Sequence, residues 1–253
     1  MDMRPGDDLL LRYGYPKAML EKHPPKRMEE GSYDLPAPKD GKMFLEGVIS
    51  RNAADLRYWG YAAFNAADVR SMLGKLDGDG VFHLNSGGGD PTEASACAHA
   101  LLEYMGKADE SAAKGMLTCF VTGIAGSAAT YVMLASDRVK IMATGEIFIH
   151  RAHGCFCGNS EDLRAAADGL DTTSSQAAGI YAQKTGKSED DMLAEMVDEK
   201  YYSAKQSLEI GFVDEVVELV QNQQGDPDPA PSGDMLMREF VSKTMDLRSM
   251  GVL

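Results

Sequence analysis

Apolar residues along the chain fall into two periods. Short apolar runs at residues 43–49 (MFLEGVI), 81–85 (VFHLN), 116–122 (MLTCFVT), 139–142 (VKIM) and 146–150 (EIFIH) predict strands. Between them, residues 65–76, 90–105 and 127–136 repeat their apolar positions at helical spacing. Val69, Met72, Leu73 and Leu76 share one face of the first, and Ala94, Cys97, Leu101 and Met105 form a stripe on the second. Asn65 is a cap for the first, and Pro91 sits near the first turn of the second, where its missing N–H is harmless. Such alternation predicts an α/β fold with a mostly parallel sheet and right-handed crossovers. Helical patterns then take over at residues 160–184, 188–197 and 204–210, closed by the apolar run FVDEVVELV. The long first helix is capped by Asn159 or Ser160, with Glu161 and Asp162 in its first turn, where the helix dipole favours acids.

Two breaks in composition frame this region. Residues 1–42, with KHPPKR and LPAPKDGK, contain prolines that no long helix or central strand survives, so they predict a flexible arm. Residues 221–234 (QNQQGDPDPAPSGD) read as a linker, and residues 235–253 as a short amphipathic tail with Met235, Met237, Phe240, Val241 and Met245 near helical spacing. One principal domain, residues 43–220, is expected between them, and 253 residues at 44% hydrophobic suffice for its core.

Charge narrows the partners. A formal net charge of −14, with no run of Lys or Arg, would repel nucleic acid and anionic membranes, so neither is expected as a partner. No 18-residue apolar stretch is present, and the first residues are acidic where a secretory signal needs basic ones. A soluble, cytoplasmic protein is expected. Cys97, Cys119, Cys155 and Cys157 are too few and too unevenly spaced for a disulfide scaffold. Cys155 and Cys157 lack a second pair at zinc-site spacing, so no metal is expected.

Three stretches stand at strand ends, where open α/β sheets collect their chemistry. In HLNSGGGDP, Gly87, Gly88 and Gly89 follow a strand and precede a helix; their amides can face an anion or oxyanion, or simply make a tight turn. The run lacks the spacing of a dinucleotide or phosphate loop. In TGIAGSAATYVMLAS, Ser127 lies at a strand-to-helix junction among small residues, as a helix cap or as a nucleophile. Ala125 and Ala129 replace the glycines of the hydrolase elbow G-x-S-x-G, which argues against an α/β-hydrolase. In EIFIHRAHGC, His150 ends an apolar strand and His153 follows in the turn. A glycine turn, a serine and a histidine at three strand ends are together the parts of a serine hydrolase.

These residues resemble the Clp-type serine peptidases. NSGGGD is similar to the family's Asn-Ser-Pro-Gly-Gly motif with Gly87 in the proline's place, Gly123 to Ser127 matches Gly-x-Ala-x-Ser, and Ile149-His150 matches the Ile-His strand end. The resemblance runs over residues 43–219 and implies the ClpP/crotonase-like fold of repeated β-β-α units with a following helical segment. It implies a catalytic Ser127 and His150, an oxyanion hole from the N–H groups of Gly88 and Ala128, and no cofactor. The family's third member is an acid just before an aromatic-x-Ser/Thr-Ala stretch, here Tyr201 to Ala204. Counting back two residues from the aromatic gives Glu199; Asp198 has the family's usual residue type but sits one position early. His153 matches no role.

GNSEDLRAAADGLD, YAQKTGKSEDD and YYSAKQSLEIGFVDEV look like the Clp-related proteases of phages and prophages, which process capsid and scaffold proteins during head maturation. That likeness implies an ATP-independent endopeptidase with protein substrates. It also implies a homo-oligomeric ring, with residues 160–184 lying between stacked rings. The alternatives are a housekeeping Clp subunit fed by an AAA+ unfoldase, a crotonase-like acyl-CoA enzyme, and a scaffold with a dead site.

Overall fold

A computed structural model describes residues 35–108 and 112–219. The arm before residue 35, the linker and the amphipathic tail expected from the sequence lie outside these residues. The described elements are, in chain order, β1 (Lys42–Ile49), α1 (Ala53–Tyr58), β2 (Ala63–Phe64), α2 (Ala66–Leu73), β3 (Gly80–Gly89), α3 (Pro91–Tyr104) and β4 (Leu117–Gly126). There follow α4 (Ala129–Leu134), β5 (Arg138–Met142), β6 (Glu146–Ile149), α5 (Ser160–Thr185), α6 (Glu189–Val197), β7 (Lys200–Ser203), α7 (Ala204–Ile210) and β8 (Glu215–Val217).

The sheet runs β2-β1-β3-β4-β5-β8, and every neighbouring pair along that path is parallel. This is the α/β architecture that the alternating pattern predicts. Strand β4 divides its pairing, with Thr118 to Val121 against β5 and Ile124 to Gly126 against β6. Strand β6 in turn carries β7 antiparallel, with Ile149 opposite Lys200. Splitting β4 in this way brings the ends of β3, β4, β6 and the start of β7 into one region. The register of β3 on β4 shifts between Leu84 and Ser86, and Asn85 Oδ1 spans the irregularity by accepting from Ile124 N–H at 3.2 Å. Such bulges re-aim the chain beside active sites.

The core is the apolar set that the periodicity selects. Leu45, Ile49, Phe82, Leu84, Val121, Ile141, Ile147 and Ile149 of the strands are fully buried, as are Ala94, Cys97 and Leu101 of α3. Each large side chain so buried contributes roughly 1.5–3 kcal/mol of transfer free energy. Asn65 closes a capping box with Asp68, and Asp90 caps α3 by accepting from Thr92 and Glu93. On α5 the cap is Asn159. Among the described residues no helix is long and apolar enough to cross a membrane.

Three differences from the sequence reading have local causes. Strand β3 continues into the glycine turn as far as Gly89, with Gly88 and Gly89 paired to β1. Helix α1 and strand β2 are too short to show a period. Strand β7 follows a helix with no turn signal, and its KYYS is paired only because β6 offers an edge.

Candidate active site

Ser127 is not the helix cap. That position belongs to Ala128, and Ser127 stands one residue earlier with φ 51°, in the left-handed region that non-glycine residues avoid. Glu199 has φ 50°, and Asp40 is the third non-glycine residue with positive φ among the described residues. Such backbone costs about 1–3 kcal/mol per residue and persists where the surroundings enforce it.

At Ser127 the enforcement is visible. Its N–H donates to Phe148 O at 2.7 Å, and its carbonyl accepts from Thr130 N–H at 3.0 Å and from Thr130 Oγ1 at 2.6 Å. The Thr130 hydroxyl is spent on Ser127, so the Tyr181 hydroxyl of α5, 2.8 Å away, donates to Thr130 Oγ1. Burial raises the Tyr181 pKa, which keeps that proton in place. Thr130 and Tyr181 escape a sequence reading because they lie 51 residues apart and belong to no motif.

The glycine turn presses on the serine. A Cβ on Gly88 would meet Gly126 O at 2.7 Å and Ser127 Cβ at 2.8 Å, and one on Gly89 would meet Ile49 O at 2.1 Å. Both have positive φ, 105° and 147°. At Gly87 a Cβ would meet nothing within 4 Å. Thermal melts should therefore show Gly87→Ala close to wild type and Gly88→Ala destabilised by roughly 1–3 kcal/mol, from left-handed strain and the collision together. Equal melting temperatures for the two variants would refute this view of the turn.

Of the two expected oxyanion donors, Gly88 N–H donates to Ser86 Oγ at 3.1 Å within the turn. Among the described residues Ala128 N–H has no partner. Ser127, Ala128, Gly87, Gly89, His150 and His153 line one cavity of about 540 Å³, which α5 closes with Ala177 and Tyr181. That volume lies within the range of sites that hold a ligand.

His150 follows β6 directly. Its ring stacks on Phe148, with centroids 5.0 Å apart and planes at 14°, and Phe148 stacks on Tyr201 of β7 at 4.2 Å. Nδ1 of His150 lies 3.3 Å from Nδ1 of His153, a hydrogen bond whose donor depends on tautomer. Burial holds the His150 imidazole below its ordinary 6.5, and His153 pushes the same way. A hydrogen bond to the Arg151 backbone and the charge of Glu199 oppose this.

Glu199 and Asp198 separate in this geometry. Ile149 pairs with Lys200, so one step further along the antiparallel ladder Glu199 stands across from His150. Its charge acts on His150, but among the described residues its carboxylate makes no hydrogen bond to the ring. Asp198 is the C-cap of α6. Of the cysteines, Cys97 and Cys119 are buried, and burial pushes the Cys97 thiol up to about 12; Cys155 and Cys157 are exposed free thiols.

Residues 75–220 match the family model described as Clp protease. The chain is 28% identical over 113 residues to the ATP-dependent Clp protease proteolytic subunit 1 of Leifsonia xyli subsp. xyli, covering 44% of this chain and 57% of the relative. It is 26% identical over 136 residues to the ATP-dependent Clp protease proteolytic subunit of Chlorella vulgaris, covering 53% of this chain and 63% of the relative. To subunit 2 of Rhodococcus jostii it is 28% identical over 100 residues, covering 39% and 51%. The chain thus spans between half and two thirds of the length of these relatives.

Proposed function

The chain belongs to the Clp protease family, and from that premise we propose that it is a serine endopeptidase with Ser127 as nucleophile and His150 as general base. The observation that carries this reading is the convergence of a strained serine, a histidine and a glycine turn on one cavity. Ser127 Oγ attacks the scissile carbonyl carbon while its proton passes to Nε2 of His150. The oxyanion takes the N–H groups of Ala128 and Gly88, the latter exchanging Ser86 Oγ for the stronger acceptor. Collapse of the intermediate breaks the C–N bond, with His150 returning the proton to the leaving amine, and water hydrolyses the acyl-enzyme by the same steps. Glu199 supplies negative charge that favours the imidazolium formed on the way.

Protonated His150 cannot act as the base, so activity falls as pH drops through its pKa. Burial lowers that pKa, so the acid limb of kcat/KM should have its midpoint below 6.5. A midpoint above 6.5 in a pH series on a peptide substrate would contradict the assignment of the base.

We further propose that residues 43–220 are the peptidase domain and that its substrates are phage capsid or scaffold proteins, cut without an ATPase. Three segments similar to head-maturation enzymes support this, as does Gly87 in the place of the family's proline. A ring is supported by α5, whose buried residues all lie at or after Ser174 while Leu163 in its first half is 45% exposed. The second reading, a subunit fed by an AAA+ unfoldase, is favoured by the relatives, which are named ATP-dependent proteolytic subunits. Incubating the purified full chain with a procapsid scaffold protein and no nucleotide separates the two. Cleavage supports head maturation; cleavage of short peptides only, extended to proteins when an unfoldase and ATP are added, supports the second.

A further inference from the structure

Among the described residues, the group that hydrogen-bonds the His150 ring from another side chain is a histidine rather than a carboxylate. The two rings sit with centroids 4.9 Å apart and planes tilted by 44°. His153 lines the same cavity as Ser127. The turn that carries it is tied down on both sides. Arg151 N–H donates to Met196 O of α6 at 3.2 Å, Arg151 pairs with Asp171 of α5 at 2.8 Å, and Ala152 N–H donates to Ser174 Oγ at 3.0 Å. The Ser174 hydroxyl in turn donates to Leu170 O, and Ser174 is buried. A residue whose predecessors are fixed by two helices has a fixed place of its own.

We propose that His153 is a positioning residue for catalysis: by accepting a hydrogen bond from the Nδ1–H of His150 it holds the tautomer whose bare Nε2 can take the proton of Ser127. The inference rests on the serine peptidase reading and assigns within it a role separate from that of Glu199. A neutral imidazole has one N–H and one bare nitrogen, so whatever accepts at Nδ1 decides that Nε2 is the base. In the tautomer that carries its proton on Nε2, His153 offers a bare Nδ1 at the observed 3.3 Å. Stacking on Phe148 confines the His150 ring to one plane, and within it the contact with His153 and the hydrogen bond to the Arg151 backbone set its orientation. Glu199 acts through charge on the imidazolium, and His153 acts through direction on the neutral ring.

The test uses full-length protein, a fluorogenic peptide and a fluorophosphonate probe on three chains: wild type, His153→Ala and His153→Asn. Asparagine can place Oδ1 close to where histidine has Nδ1, and it accepts a hydrogen bond without titrating. His153→Ala should lower kcat about 100-fold with KM within about twofold, since the lost group orients the base without holding substrate. His153→Asn should recover kcat to within about fivefold of wild type. His153 is exposed, so both variants should melt with the wild type, and should the Ala variant aggregate, the Asn variant and the wild type still bear the test through kcat. A His153→Ala enzyme with wild-type kcat, a loss confined to KM, or an Asn variant at least 100-fold below wild type would each overturn the proposal. A wild-type chain that never labels removes the peptidase reading and this inference with it. A wild type that labels, with His153→Ala labelling equally fast, removes this inference alone.

Discussion

Ser127→Ala is expected to abolish peptide hydrolysis, by about 10⁴–10⁶-fold in kcat, while the melting temperature stays where it was. The two outcomes are separable because the site holds Ser127 by its backbone. Its N–H and carbonyl carry the hydrogen bonds to Phe148 and Thr130, and the hydroxyl carries none among the described residues. Removing Oγ deletes the nucleophile and leaves the clamp. Ser127→Gly sharpens the point, because glycine adopts φ 51° without strain. It should be equally inactive and more stable by about 1 kcal/mol, a rise of roughly 2–4 °C in Tm for a chain of this size. Gaining stability while losing activity marks a residue kept in a strained geometry for its chemistry. Retained peptidase activity in either variant would remove Ser127 from the mechanism.

The second large effect separates two neighbouring acids. Glu199→Gln should lower kcat/KM by about 10²–10³-fold, and Asp198→Asn should stay within about twofold of wild type. Glutamine keeps the size of the side chain and deletes the charge that favours the His150 imidazolium. Asp198 is the C-cap of α6, where the helix dipole disfavours negative charge, so neutralising it removes no favourable interaction with the helix. The expected loss is smaller than for Ser127 because Glu199 acts on the ring without a hydrogen bond to it. Steady-state kinetics on the two single variants decide the matter, and the opposite ranking would transfer the role to Asp198.

The parts legible in the sequence were those set by local pattern. Apolar periodicity located the strands around Leu45, Leu84, Val121 and Ile147, and turn and cap chemistry located the helices that start at Asn65, Pro91 and Asn159. Ser127, His150 and the glycines were legible because each stands at a strand end, and topology puts strand ends together. What stayed hidden depends on partners far away in the chain. Strand β7 exists through its pairing with β6, more than 50 residues earlier. The cap reading of Ser127 failed because its φ is set by Phe148 and Thr130, and no residue type announces a left-handed serine. His153 carried no signal at all: a histidine three residues after another belongs to no motif until the turn between them is seen folded against α5 and α6.

The central claim is that Ser127 is a nucleophile activated by His150. Its most direct measurement is reaction of the native, full-length chain with a fluorophosphonate probe, followed by peptide mass spectrometry to locate the adduct. The expected result is one adduct on Ser127, formed by wild type, absent after thermal unfolding and absent in His150→Ala. No adduct on native protein, an adduct on another serine, or labelling of Ser127 that is indifferent to His150 would contradict it.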